Sequence, residues 1–342
     1  MRDLRVSVTD RCNYRCLYCL PETEEAANFY RTKFDRPALP DASKVIARTW
    51  KSKADLLTYE EIERVVRVAV SLGVEKVRLT GGEPLLRRNL AALVGMLNQI
   101  DGIRDLAMTT NGFLFASQAM ALRDAGLRRV SFSMDSLDRT NFQKMTGRDG
   151  LLEVLAGIRL ARELGLGPIK VNSVVIRGLN DHEIEALADF ARTESLSLRF
   201  IEFMPLDSSR AWQREHVLPG NVILARLQAR FSLFPVDPKG NPSETARRWR
   251  FADGAGEVGL ISPVTEPFCG HCNRLRLTAD GKIRTCLFSL GEHDLRPLLR
   301  GGASDEDLAE ELIRIVRGKE AGHRIGQVDF VQPARTMSCI GG

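Results

Sequence analysis

Three cysteines constrain this chain more than any other feature. Cys12, Cys16 and Cys19 form a C-x3-C-x2-C array within residues 8–22, VTDRCNYRCLYCLPE. Thiolates are soft donors that favour iron–sulfur clusters or zinc. A structural zinc wants four closed ligands, and no fourth Cys or His lies nearby. Tyr18 and Arg11 are the nearest polar side chains, and neither is a usual ligand. Three thiolates on one short loop therefore suggest a four-iron cluster with one iron left free to bind something else. The alternatives are a zinc knuckle completed by a distant residue, or a disulfide framework.

The chain around this loop reads as repeated βα units. Alternation predicts a strand over 4–8 that ends at the cysteine loop, with Pro21 closing the loop. Residues 23–55 are irregular and read as an insertion, with a short helix over 42–53. A strong helix follows over 58–73, opened by a Thr58/Glu61 capping box and ended by Gly73. Strands over 76–80, 105–109, 129–134, 169–176 and 197–203 then alternate with helices over 89–99, 117–125, 151–164 and 181–193. Repeated units of this kind give a parallel sheet, open or curled into a barrel, with ligands at the carboxyl ends of the strands. The loops that fall there carry Gly81-Gly82-Glu83-Pro84, Thr109-Thr110-Asn111-Gly112, Ser133-Met134-Asp135-Ser136 and Met204-Pro205. Each alone is ordinary turn chemistry. Their shared place beside the cysteine loop makes them candidates for a site.

The pattern breaks after Asp207, and a boundary is expected near Gly220. Residues 1–220 then form an α/β unit, and 221–342 a smaller α+β unit with a helix over 221–230, a strand over 231–236 and an amphipathic helix over 304–317. The second unit contains Cys269, Cys272 and Cys286, spaced C-x2-C-x13-C, with Asp280-Gly281 as a hairpin turn between them. This is a second set one ligand short. His271 lies inside the C-x2-C loop, where a side chain usually points away from the metal. Cys339 reads as an ordinary free thiol, and the tail that holds it, ending Gly341-Gly342, as a frayed end.

Composition excludes several classes. No export signal and no run of about 18 apolar residues is legible, so seven cysteines point to a reducing cytoplasm. The formal charge of +5 is spread among acidic residues, without the basic stripe that nucleic acid prefers. It suits a small anionic ligand. No P-loop motif occurs.

The first cysteine array followed by Gly-Gly-Glu-Pro resembles the radical S-adenosylmethionine (SAM) enzymes. The second array, followed by Asn-Arg-x-Arg-x-Thr, together with the terminal Gly-Gly, narrows the resemblance to the GTP 3′,8-cyclases, the family that opens molybdenum cofactor biosynthesis. It runs from about residue 4 to residue 342, apart from the long 23–55 stretch. It implies a partial (β/α)6 parallel barrel with a smaller C-terminal domain carrying a second cluster. Two [4Fe-4S] clusters are implied, on Cys12, Cys16 and Cys19 and on Cys269, Cys272 and Cys286, facing each other across the barrel rim. The resemblance makes Tyr18, Gly82, Ser133 and Met204 contacts to SAM. It makes Arg5, Arg78, Thr109, Lys170, Arg274 and Arg276 contacts to GTP, with Arg274 and Arg276 also catalytic. The implied reaction takes hydrogen from ribose C3′, joins C3′ to guanine C8, and gives 3′,8-cyclo-7,8-dihydro-GTP. An external electron donor and a homodimer are implied too, and the Gly-Gly tail is expected to enter the active site. The rival readings are another radical SAM enzyme with an auxiliary cluster, and a non-catalytic protein with two zinc sites.

Overall fold

The computed structural model describes residues 1–23, 26, 49–207, 212–238 and 242–341. Most of the 23–55 stretch, including the helix expected over 42–53, lies outside the described residues.

Six parallel strands stand side by side in sequence order: β1 (Asp3–Ser7), β2 (Lys76–Thr80), β3 (Asp105–Thr110), β4 (Arg129–Ser133), β5 (Lys170–Val175) and β6 (Ser197–Glu202). The helices between them are α1 (Tyr59–Ser71), α2 (Leu90–Asn98), α3 (Phe115–Asp124), α4 (Arg139–Thr146), α5 (Leu151–Glu163) and α6 (Ile184–Thr193). Alternation explains both faces of the sheet. Leu4, Val6, Val77, Leu79, Leu106, Met108, Val130 and Phe132 are fully buried on the helix side. Such burial contributes about 1.5–3 kcal/mol for each large side chain. The opposite face carries Asp3, Arg5 and Ser7 on β1, Lys76, Arg78 and Thr80 on β2, and Ser131 and Ser133 on β4. This is a polar inner face.

Local signals set the helix ends. Thr58 accepts from the Glu61 amide while Glu61 accepts from the Thr58 amide, so the expected capping box closes α1. Helix α4 is additional to the helices that the sequence pattern predicts. Asp138 caps it by accepting from the Asn141 amide at 2.7 Å, and Gly147 ends it at φ 69°. Helix α6 is shorter than expected because 181–183 form a 3-10 turn.

The C-terminal part extends the same sheet at both edges. Helix α7 (Gly220–Arg230) leads to β7 (Leu233–Val236), β8 (Arg247–Phe251) and β9 (Glu257–Ile261), and β9 pairs in parallel with β6. On the other edge β10 (Arg274–Leu277) pairs in parallel with β1, followed by antiparallel β11 (Lys282–Arg284) and β12 (His293–Asp294). Among the described residues the result is one twelve-stranded sheet, continuous across residue 220. Helices α8 (Arg296–Arg300), α9 (Asp305–Arg317) and α10 (Met337–Ile340) complete the chain. Helix α9 has its own capping box, Ser304 with Asp307, and packs on α1, where Asp305 pairs with Arg64 at 2.7 Å and Arg67 at 2.6 Å.

Candidate active site

Both cysteine sets hang from β1 and its neighbour β10, at opposite ends. Cys12, Cys16 and Cys19 follow β1 at its carboxyl end. Cys269 and Cys272 precede β10, which runs parallel to β1, and Cys286 follows antiparallel β11. The second set thus lies at the amino end of the barrel strands. The expectation that the two sets face each other across one rim is corrected. They face each other along the length of β1, about 16 Å at 3.3 Å per residue.

The first loop is braced from three sides. The Arg15 and Leu17 amides donate to Thr146 and Met145 carbonyls at the end of α4, at 2.7 and 2.9 Å. The Gly82 amide donates to the Thr9 carbonyl and the Glu83 amide to the Arg11 carbonyl, both at 2.8 Å. A Cβ at Gly82 would lie 2.3 Å from the Arg11 carbonyl oxygen, so this position accepts no side chain. Buried Glu83 ties the next loop in. It accepts from the Thr110 hydroxyl and the Asn111 amide at 2.7 Å each, and from the Leu85 amide at 3.1 Å. Burial outweighs these bonds and pushes its carboxyl up to about 7.

The thiols suit cluster ligation. All seven cysteines are free. Burial pushes Cys12 up to about 11 as a thiol, and burial with its neighbours Cys12 and Cys19 pushes Cys16 higher than its ordinary range. The Tyr14 amide lies 3.4 Å and the Asn111 side-chain amide 3.8 Å from the Cys12 sulfur, as donors to a thiolate. In the second set the Arg274 guanidinium lies 3.3 Å from the Cys272 sulfur, and the Phe288 amide 3.4 Å from that of Cys286. Burial alone would raise the Cys272 thiol, but Arg274 brings it down. Among the described residues no group of three or more His, Cys, Asp or Glu is arranged to hold a single metal ion. A cubane cluster takes each thiolate on a separate iron.

Between the two ends lies a row of cations. Arg276, Arg5 and Arg78 are register partners across β10, β1 and β2. Arg199 pairs with Glu257 at 3.0 Å and Arg284 with Glu292 at 2.7 Å. The row bonds otherwise. Arg78 donates to the Thr109 and Ser131 hydroxyls at 3.3 and 3.0 Å, and Arg276 donates to the Gly341 carbonyl. The buried Arg5 Nε has no partner among the described residues. Burial, then Arg276, holds the Arg5 guanidinium well below its ordinary range. Burial, then Arg274, brings Arg276 down to about 10. Burial, then Arg199, brings Lys170 at the start of β5 down to about 7. Like charges held together on this largely buried inner face call for an anion. Arg274 stands at the amino end, 5.1 Å over the Phe268 ring.

The four residues assigned to SAM by resemblance gather at the carboxyl end. Tyr18 donates to buried Asp135 at 2.5 Å, and Asp135 also accepts from the Val174 amide at 2.8 Å. Burial pushes the Asp135 carboxyl up to about 6. Ser133 ends β4 opposite Asn172. Met204 follows β6 and packs on the cluster of Leu206, Val264 and Ile340. Glu83 and Asp135, which brace this end, lie in loops that the sequence marks but does not single out.

The tail is not frayed. Helix α10 seats fully buried Ile340, and Gly341 sits at φ 70° with its Cβ direction 2.5 Å from the Thr80 hydroxyl. It lies on the inner face beside Ser7 and Thr80.

The Radical SAM superfamily model matches residues 6–191 and the Molybdenum Cofactor Synthesis C model residues 196–325. The chain is 44% identical over 342 residues to a GTP 3′,8-cyclase of Rhodopirellula baltica, covering 99% of this chain and 89% of that protein. It is 44% identical to one of Streptomyces coelicolor, covering 99% and 93%. Among solved structures, Streptococcus suis SuiB bound to S-adenosylmethionine aligns with a TM-score of 0.58 at 15% identity, covering 91% of this chain and 67% of that one. Native anSMEcpe with bound AdoMet aligns with a TM-score of 0.58 at 14% identity, covering 98% and 94%. These two share the fold.

Proposed function

The chain belongs to the GTP 3′,8-cyclase family of the radical SAM superfamily, and from that premise we propose that its inner sheet face binds GTP between two clusters. The protein is a SAM-dependent enzyme with [4Fe-4S] clusters that converts GTP to 3′,8-cyclo-7,8-dihydro-GTP, the first step of molybdenum cofactor biosynthesis.

The observation that carries the placement is the arginine row Arg276–Arg5–Arg78, whose Arg5 Nε has no partner among the described residues. When bound, the cluster on Cys12, Cys16 and Cys19 with SAM would supply a 5′-deoxyadenosyl radical, and the one on Cys269, Cys272 and Cys286 would hold the guanine. Everything else falls to the chain. Arg5, Arg78, Lys170 and Thr109 bind the anionic nucleotide, with Arg78 fixing the Thr109 hydroxyl at 3.3 Å. Arg274 and Arg276 orient the purine and stabilise charge that develops on it. Gly82, Ser133, Met204 and Tyr18 hold SAM at the carboxyl end, where Asp135 fixes the Tyr18 ring. The tail, through Ile340 and Gly341, closes the lumen against water. Residues 1–220 thus carry the radical source, and 221–342 the auxiliary cluster and tail. The resemblance to the family supports a separate electron donor, a cytoplasmic enzyme and a homodimer. Among the described residues no helix is long and apolar enough to cross a membrane.

Arg274→Ala and Arg276→Ala test the placement. Each is expected to abolish cyclisation while 5′-deoxyadenosine still forms from SAM. Equal loss of both activities overturns the assignment.

A further inference from the structure

The Asp280-Gly281 turn does more than reverse the chain. Its carboxylate is almost fully buried and is the meeting point of three segments. Arg335 grips it with both terminal nitrogens, Nη1 to Oδ1 and Nη2 to Oδ2, each at 2.8 Å. The third nitrogen of Arg335, Nε, lies 2.7 Å from Glu292, the residue before β12. Thr278 donates to Asp280 at 2.7 Å, and the Lys51 ammonium lies 3.3 Å from Oδ2. The Lys51 amide in turn donates to Asp10 of the cysteine loop at 2.8 Å. Burial alone would raise the Asp280 carboxyl, but the hydrogen bonds from Arg335 and Thr278 hold it well below the usual carboxylate range.

Arg335 immediately precedes the tail. Thr336 is the N-cap of α10, and six residues beyond Arg335 the Gly341 carbonyl accepts from Arg276. Asp280 lies just past the end of β10, and Arg276 lies within that strand. One stretch of chain therefore presents both the grip for the start of the tail and the donor for its end. A four-residue helix has no stability of its own in water. Only Ser338, Ile340 and Gly341 of its last residues are buried. Seating comes from the apolar contacts of Ile340 and Met337 and from the polar contacts at its two ends.

We propose that Arg335, clamped between Asp280 and Glu292, is the latch that seats the C-terminal tail and so sets Gly341 against Arg276. Arg335 is a positioning residue that acts through the tail. The latch deepens the GTP-cyclase reading and rests on it for its catalytic consequence, though not for its physical one.

The test is Arg335→Ala in the cluster-loaded enzyme, read first by hydrogen–deuterium exchange under anaerobic conditions. The peptide spanning 333–342 is expected to lose protection by on the order of tenfold or more, because one partner of a largely buried pair is gone. The peptide spanning the β10–β11 hairpin keeps its protection. Cyclised product per 5′-deoxyadenosine formed falls by a similar factor. Arg335→Lys, which keeps the charge and loses the two-pronged grip, gives an intermediate value on both scales. Unchanged tail protection in both variants overturns the latch. Equal loss of protection in tail and hairpin also overturns it, because Arg335 would then staple the fold. If the wild-type enzyme does not turn over GTP, the cyclase reading fails while the exchange experiment still decides the latch.

Discussion

Substituting Gly341 by alanine probes the inserted tail at the point where the geometry is tightest. Gly341 sits at φ 70°, the left-handed region that costs a residue with a Cβ about 1–2 kcal/mol. The added methyl would also lie 2.5 Å from the Thr80 hydroxyl and 3.5 Å from the Ser7 Cβ. Thr80 is β-branched and stiff at χ1, so turning it aside costs about 1 kcal/mol more. The two terms sum to ~2–3 kcal/mol, or roughly 30- to 150-fold in the ratio of seated to released tail. The assay is the yield of cyclised GTP per 5′-deoxyadenosine under anaerobic reduction. Gly341→Ala is expected to lower that yield toward this factor, while SAM cleavage itself persists. Thr80→Ala in the same chain removes the clash and leaves the backbone term, so the double variant recovers about fivefold. Full yield from Gly341→Ala would mean that the seated tail accepts a side chain there. A double variant no better than the single one would show that Thr80 is not the obstacle.

Two further predictions concern the ends of the lumen. Gly82→Ala forces a methyl to within 2.3 Å of the Arg11 carbonyl oxygen and 2.6 Å of its carbonyl carbon, both backbone. The cysteine loop must move, and bound iron is expected to fall from about eight to about four per chain, with SAM cleavage lost; iron analysis showing a full complement contradicts this. Lys170 is depressed from 10.5 to about 7 by burial. It is charged below that pH and neutral above it, so KM for GTP should rise as pH climbs through 7, and Lys170→Arg should flatten the profile. The same shift has a stability sign. The unfolded chain holds the proton up to 10.5 and the folded one only to about 7. Stability from this group therefore grows between those values and is lost as pH falls back toward 7, which denaturant titration at several pH values reads directly.

How much could be read beforehand follows from the range of each interaction. The six barrel strands were legible because Leu4/Val6 and Val77/Leu79 alternate with polar neighbours. The cysteine sets were legible because ligand count and spacing are local. Helix α4 carried its own signals, Asp138 at one end and Gly147 at the other, within a segment too short to show periodicity. That the two sets lie at opposite ends was not legible. It depends on β10 returning parallel to β1, and nothing in either strand states that pairing. The same holds for the arginine row, whose members are separated by long stretches of chain and meet only through register. The composition of the tail suggests a frayed end. Its seating depends on Arg276 and Asp280, two residues of the hairpin it folds onto.

In the proposed placement one lumen brings a radical from the first cluster's end to the ribose of GTP held by the arginine row. The direct measurement is an anaerobic incubation of the reconstituted enzyme with SAM, reductant and GTP carrying deuterium at C3′, followed by mass analysis. The expected result is a product isomeric with GTP and deuterium transferred into 5′-deoxyadenosine. Unlabelled 5′-deoxyadenosine, or GTP recovered unchanged from the active enzyme, would contradict it.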